Sequence, residues 1–509
     1  MFRRLLSVGG FTLLSRLTGF ARDILMASIV GNGFLSDSLL VGFLFPNYFR
    51  QIFGEGTINP AFLPRYAALH ARGQTEAAAK FADEVFSWQM AAQIVILVLA
   101  MSAMPFITRA IVPGYSPSEL SLTTQLARIT FPYLIMTVVA IQLSAMLNAI
   151  EKFWAAAAWS NFQNICMIAT LLCWRWFPNA AFAAAWGVVF GGVAQLFFML
   201  WAARRDGLSL RVSWPRWTPE IAEFFKAYGA VTIGAASVVV APLLDFFLAS
   251  YLPTGSRTAL YYADRVDQLP LGVLGIALGT VLLPEMSARL AVGDAKGSSE
   301  AQNRAAALSL LLTLPFAVAF VAIPETLIRA VFAHGAFDKS AAGLSAAALA
   351  AYGVGLPAYA LVRLVASTFY ARHDTMTPAR ITMAAIAVNV MLKMVFVWGL
   401  GLGVVGIALG TALAAWVNVG TLVWLGRRRG LLEVSGVFWR ALPGTLLAAA
   451  ATGAGALAAI QYLPQYLPGR GTVHELLILG SAIGVAGILY LTVVLLFRRA
   501  LPLGRARKA

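Results

Sequence analysis

Apolar runs of roughly 20 residues recur along almost the whole chain, and each can cross a hydrocarbon core of about 30 Å as a helix. The runs are continuous, without the alternation of a strand, so they predict helices and argue against a β-barrel. Fourteen spans are predicted, starting near residues 8, 36, 84, 124, 157, 181, 226, 258, 305, 345, 380, 404, 438 and 474. The expected fold class is therefore an all-α polytopic membrane protein. The connections are short. The longest, about 65–83, 204–225 and 286–304, leave no room for a soluble catalytic domain. Residues 65–84, with Arg65, Arg72, Glu76, Lys80, Asp83 and Glu84, read as an amphipathic surface helix.

The pattern repeats at a shift of about 223 residues. Asp23 to Ser28 returns loosely as Asp245 to Ser250, Gly56-Thr57 as Gly279-Thr280, and Pro60 as Pro284. Asn164 opens a segment ending in Arg204-Arg205-Asp206-Gly207, and Asn389 opens one ending in Arg427-Arg428-Arg429-Gly430. An even number of spans separates equivalent positions, so the copies share one orientation, a transporter signature with the substrate site expected between the halves. The expected organisation is a six-helix lobe over 1–220, a second over 221–432, and an extra two-helix segment with a basic tail over 433–509. That last pair serves either packing or a greasy substrate tail.

Composition agrees: 60% hydrophobic and 12% charged with a mean hydropathy of +0.77, against about 25% charged in soluble proteins. The net charge of +16 raises nucleic acid as a partner, but its distribution points elsewhere. With the N-terminus inside, 24 of the 38 lysines and arginines fall in inner segments and seven in outer ones; the other seven lie within spans or at their ends. This is the positive-inside bias, and it predicts both termini in the cytoplasm. The first segment carries Arg16, Arg22 and Asp23 without a small-residue cleavage site, so no signal peptide is expected. Cys166 and Cys173 read as membrane-buried thiols, and no metal site or cofactor is expected.

Charge inside the spans is the informative feature. Arg16, Arg22, Arg50, Asp23 and Asp37 lie in the first two apolar segments, where a charge at the bilayer centre costs about 2.5–3.5 kcal/mol. The cost is offset only by a protein partner or a wet cavity. Arginine forks match phosphate oxygens in pairs, so an arginine-lined cavity suits a phosphate-bearing anion. Arg16 and Arg22 stand about 120° apart on an ideal helix, and either can pair with Asp23. One acid cannot neutralise both, which leaves at least one arginine for ligand. Pro46 precedes Arg50 by four residues, and Glu55 follows as a gate or a plain interface pair. In the second half Tyr261-Tyr262-Ala263-Asp264-Arg265-Val266-Asp267-Gln268-Leu269-Pro270 repeats the design of a charged cluster before a helix proline. Arg265 is the candidate ligand there, with Asp264 as a partner and Asp267 as a cavity acid. Lys393 shares a face with Asn389. It either pairs with Asp245, or Asp245 and Asn389 mark a coupling site in which Lys393 acts as a tethered cation.

At these residues the chain resembles the MurJ/MviN-type lipid II flippases of the multidrug/oligosaccharidyl-lipid/polysaccharide exporter superfamily. The matching stretches are Ser15-Arg16 through Gly19-Phe20-Ala21-Arg22-Asp23, Asp37, Pro46-Asn47 to Arg50, and Phe53-Gly54-Glu55-Gly56. Further along come Tyr261 to Arg265, Gly272 to Thr280, Leu283-Pro284, and Tyr370-Ala371-Arg372 with Thr377-Pro378. The resemblance covers essentially the full length and implies a bacterial inner-membrane transporter. Its implied substrate is lipid II, the undecaprenyl-diphosphate-linked peptidoglycan precursor, moved from the cytoplasmic to the periplasmic leaflet. It further implies that Arg16, Arg22, Arg50 and Arg265 bind substrate, that Asp37 is a sensitive acid, and that membrane lipids and cell-wall synthesis enzymes are partners. Some relatives place an acid where this chain has Lys393, which puts sodium coupling in doubt; a membrane potential or another ion gradient is expected to drive the cycle.

Rival readings are a flippase for another polyprenyl-diphosphate glycan and a drug/cation antiporter of the same superfamily. The antiporter should have an acidic cavity, whereas this one is basic. A membrane glycosyltransferase or phosphatase would need clustered carboxylates or histidines, but His70, His334, His373 and His474 are scattered over separate loops.

Overall fold

The structure is a computed structural model that describes the backbone of residues 2–55, 57–467, 469 and 471–501, with side chains for these except 2–8, 55, 230, 233–238 and 273–281. Among the described residues there are helices and no strands. The chain forms two compact units, Met1–Gly255 with Gly335–Phe337, and Ser256–His334 with Asp338–Ala509.

The helices of the first unit are, in chain order, α1 (Phe2–Val30), α2 (Phe34–Arg50), α3 (Ile58–Ala71), α4 (Thr75–Ile111), α5 (Pro117–Thr130), α6 (Tyr133–Ala149), α7 (Phe153–Ala158), α8 (Ser160–Leu172), α9 (Ala180–Arg205) and α10 (Pro219–Ser250). Those of the second are α11 (Ser256–Ala291), α12 (Ala295–Ala322), α13 (Pro324–Phe332), α14 (Lys339–Tyr370), α15 (Met376–Met394), α16 (Gly403–Arg428), α17 (Gly436–Tyr462) and α18 (Thr472–Leu496). All fourteen expected span starts fall within helices. Among the described residues, nine helical stretches are long and apolar enough to cross a membrane. Helices α1 and α11 carry charge in mid-length, and α2 has only 17 residues.

Burial separates core helices from lipid-facing ones of similar hydropathy. The apolar window of Pro117–Ala149 is 78% buried, against 17% for that of Thr75–Ile111. A long helix apolar on every side yet exposed is one that a bilayer must cover. The first unit's core joins Phe62, Tyr66 and Phe81 with Phe131, Leu143 and Met146. Grouping by contact places α10 with the first unit, whereas the repeat counts it as the opening helix of the second copy; contact and ancestry are different criteria.

Residues 65–84 are not one helix. The chain breaks at Arg72-Gly73-Gln74, with Gly73 in the left-handed region at φ 72°. Upstream, Phe62 and Tyr66 turn α3 inward and are 0% and 2% exposed. Downstream, Lys80, Asp83 and Glu84 begin the long span α4. The surface-helix expectation fails because Gly73 ends the α-turn and because α3 has an apolar anchor upstream of the charged stretch. Tyr66 lies beside Asp83, and burial with that carboxylate pushes its hydroxyl pKa up to about 12.

Between α9 and α10 the chain has no helix and is pinned to α4 by a series of hydrogen bonds. Arg211 N–H donates to Asp83 Oδ1 at 2.8 Å, Ser213 N–H to Ser87 Oγ at 2.9 Å, and Trp88 Nε1–H to the Arg216 carbonyl at 3.0 Å. Thr218 then caps α10 by accepting from Ile221 N–H, ahead of Pro219 in the first turn.

Candidate functional site

The first unit holds three of the four candidate arginines. On α1, Ser15, Thr18, Gly19 and Arg22 face α8 at spacings of three and four, one stripe of a helix. Arg22 donates from Nε and Nη2 to Asp23 Oδ1 at 3.0 and 2.7 Å, and from Nη1 to Asn164 Oδ1 at 3.0 Å. Asn164 donates its amide to the Ser15 carbonyl and to Thr18 Oγ1, both at 3.2 Å. Ser15 and Ser160 hydroxyls meet at 3.0 Å. Gly19 lies against Asn164: a Cβ there would stand 3.4 Å from Nδ2, an ordinary contact. Arg22 and Asp23 side chains are 12% and 4% exposed, so the hydrogen-bonded ion pair is largely withdrawn from solvent.

Between the two arginines competing for Asp23, the structure pairs Arg22. Arg16 is exposed, and among the described residues it has no ion-pair partner. Asn164 was legible only as a marker of the repeat; its place in the arginine site was missed. The available signal was an amide on an otherwise apolar helix, opposite the Ser15, Thr18 and Arg22 stripe. Changing Asn164 to leucine is expected to leave Arg22 Nη1 without this acceptor and to cut transport severalfold while insertion is kept. The check is activity per membrane-inserted molecule; wild-type activity in that variant excludes Asn164 from the site.

Helix α2 runs through Pro46 and passes into a π-helical turn at Gln51–Glu55. Arg50 donates from Nη2 to Asn47 Oδ1 at 2.8 Å. The Glu55 side chain, Gly56 and the side chains of 273–280 in the Gly272–Thr280 stretch lie outside the described residues. At the other end of α2, Asp37 is 2% exposed and its Oδ2 accepts from Gly255 N–H at 2.6 Å. Beside it, residues 335–337 seat on the α1–α2 junction: Ala336 N–H donates to the Ser28 carbonyl at 2.8 Å. The approach is close enough to require glycine on both sides. Gly31 (φ 80°) would place a Cβ 2.7 Å from the Ala336 carbonyl oxygen, and Gly335 (φ 59°) would place one 2.3 Å from that of Ser28.

The second unit holds Arg265, whose guanidinium carbon lies 4.7 Å from the Tyr261 ring centroid. Asp264 Oδ2 accepts from Gln268 Nε2 at 2.6 Å. Asp267 is 3% exposed, and among the described residues its Oδ1 has no hydrogen-bond partner. On α15 Lys393 is 1% exposed and Asn389 9%, and the buried Asn389 Oδ1 has no hydrogen-bond partner among the described residues. Gly410 of α16 backs the lysine, since a Cβ there would meet Lys393 Cγ at 2.5 Å. Asp245 lies on α10 in the first unit. Among the described residues no group of three or more histidines, cysteines or acids is placed to hold a metal ion.

Comparison with known proteins identifies the family and the fold. The sequence matches the family described as "Lipid II flippase MurJ" over residues 26–480. A Rhizobium tropici protein named "Probable lipid II flippase MurJ" is 36% identical over 458 residues, covering 86% of this chain and 85% of that one. A Burkholderia cenocepacia protein named "Lipid II flippase MurJ" is 31% identical over 452 residues, covering 86% and 85%. A solved structure, "Lipid II flippase MurJ, inward closed conformation", superposes with a TM-score of 0.78 at 22% identity, covering 97% of this chain and 99% of that one, which establishes the fold.

Proposed function

The chain belongs to the MurJ family of lipid II flippases, a multi-pass transporter rather than a catalyst, and on that premise we propose how it handles its substrate. It moves lipid II from the cytoplasmic to the periplasmic leaflet of the bacterial inner membrane by alternating access, with both termini in the cytoplasm. The observation that carries the site is the α1–α8 seam: a guanidinium fixed by Asp23 and Asn164 on a helix whose sequence reads as a membrane span, with Arg16 exposed six residues earlier on α1. Arg16, Arg22, Arg50 and Arg265 bind the diphosphate through charge-assisted hydrogen bonds that replace its water. The polyprenyl tail remains in lipid.

Asp23 and Asn164 orient Arg22, while Asp37, Glu55, Asp264 and Asp267 tune or gate the path. Resetting the empty carrier draws on the membrane potential, at about 2.3 kcal/mol per charge per 100 mV. Asp245 and Asn389 are the candidate coupling residues. Lys393, one turn beyond Asn389 on α15, is a basic side chain and no ligand for sodium, which disfavours a bound sodium ion beside Asn389. Cell-wall synthesis enzymes are the proposed protein partners.

The test is depletion in the native cell, followed by measurement of the lipid II that a periplasmic enzyme can reach. Accessibility should collapse and return with the wild-type chain, but not with Arg265→Ala at equal abundance. Undiminished accessibility after depletion would reassign the substrate to another polyprenyl-diphosphate glycan.

A further inference from the structure

Both units end a long apolar helix in the same five-residue pattern. Trp201-Ala202-Ala203-Arg204-Arg205 closes α9, and Trp424-Leu425-Gly426-Arg427-Arg428 closes α16. In each, the last arginine folds back over the indole one turn earlier. Arg205 Cζ lies 5.8 Å from the Trp201 ring centroid, and Arg428 Cζ lies 5.4 Å from that of Trp424. The tryptophans are 52% and 58% exposed. Acids beside these helix ends pair with other cations: Asp206, next to Arg205 in sequence, with Lys152 at 3.1 Å, and Asp374 with Arg429, next to Arg428, at 3.2 Å. Among the described residues, Arg204, Arg205, Arg427 and Arg428 have no ion-pair partner.

Two features argue that this is more than the general excess of inner arginines. Stacking on an indole holds a guanidinium in place with its N–H edge available, whereas a solvated lysine or arginine needs no such platform. In the second unit the pattern also borders a shallow, open groove along the surface of α16, about 540 Å³, lined by Gly420, Val423, Trp424, Arg427 and Arg428 of that one helix. These residues recur at steps of three and four, so they form one stripe of α16, apolar at one end and cationic at the other. Nothing stands within 4 Å of where a Gly420 Cβ would lie, which leaves the apolar end open.

We propose that these helix ends bind the phosphate headgroup of an anionic phospholipid of the bilayer, with the α16 groove also taking the first carbons of an acyl chain. Paired guanidinium groups donate to the phosphate oxygens, and tryptophan occupies the interfacial depth it favours. Neither helix end carries any of Arg16, Arg22, Arg50 and Arg265, so this is lipid recognition separate from the transport path.

The test is native mass spectrometry of the purified full chain in detergent, titrated with phosphatidylglycerol or phosphatidylcholine. Phosphatidylglycerol should be retained preferentially, and Arg427→Gln with Arg428→Gln should reduce its retention roughly tenfold, as expected for two lost charge-assisted contacts. Adding Arg204→Gln and Arg205→Gln should remove the remaining preference. Equal retention of the two lipids, or unchanged retention in the fourfold variant, overturns the proposal. Displacement of phosphatidylglycerol by undecaprenyl diphosphate from the wild type also overturns it, and assigns the groove to the transport substrate. Arg428→Lys keeps the charge and guards against misfolding: weaker retention supports the stacked fork, and wild-type retention overturns it.

Discussion

Arg22→Ala is expected to abolish most transport and to lower stability by about 3–5 kcal/mol, the cost of leaving one member of a buried ion pair behind. The variant removes two hydrogen bonds to Asp23 and one to Asn164 at once, in a pair whose side chains are 12% and 4% exposed. Stability and function should then separate in a second variant. Arg22→Met with Asp23→Leu eliminates both charges and replaces them with apolar volume, an exchange that is often neutral or stabilising for buried pairs. It should restore the thermal midpoint in detergent and leave transport absent, because no guanidinium remains for the diphosphate. Recovery of transport in the double variant would reduce Arg22 to a structural residue.

Asp37→Ala should lower transport by about tenfold or more through a different route. Its carboxylate accepts from Gly255 N–H at 2.6 Å in a site where Asp37 is 2% exposed. A hydrogen bond to a charged group contributes about 1.5–3 kcal/mol. Its loss leaves a backbone donor buried and releases the α10–α11 connection from α2. Asp37→Asn keeps an acceptor without the charge, so it should fall between alanine and wild type. Lipid II accessibility in cells at matched expression measures the order; equal activity of all three would show that Asp37 has no part in the cycle.

The fold was largely legible because continuous apolar runs need no long-range information to be read as helices. The breaks were harder. Gly73 stops a helix that the charge pattern alone would carry from 65 to 84. The arginine site was legible as residue types, since charge inside an apolar run is costly wherever it occurs. Its internal pairing was not: the choice between Arg16 and Arg22 for Asp23, and the entry of Asn164 from α8, depend on how two helices distant in sequence face each other. The seating of Gly335-Ala336-Phe337 beside Gly31 had no local signal at all, because three small or apolar residues in a loop resemble any other turn.

That seating has a consequence for biosynthesis. Residues up to Gly255 make up nearly all of the first unit, yet its last piece, Gly335–Phe337, is separated from them by residues 256–334. At synthesis rates of about 5–20 residues per second, the nascent first half waits roughly 4–16 s in the membrane before the ribosome supplies the segment that packs on Ser28 and Gly31. During that interval the α1–α2 junction is held without its Ala336 hydrogen bond, so the first half reaches its final form only after all of α11 to α13 has been made.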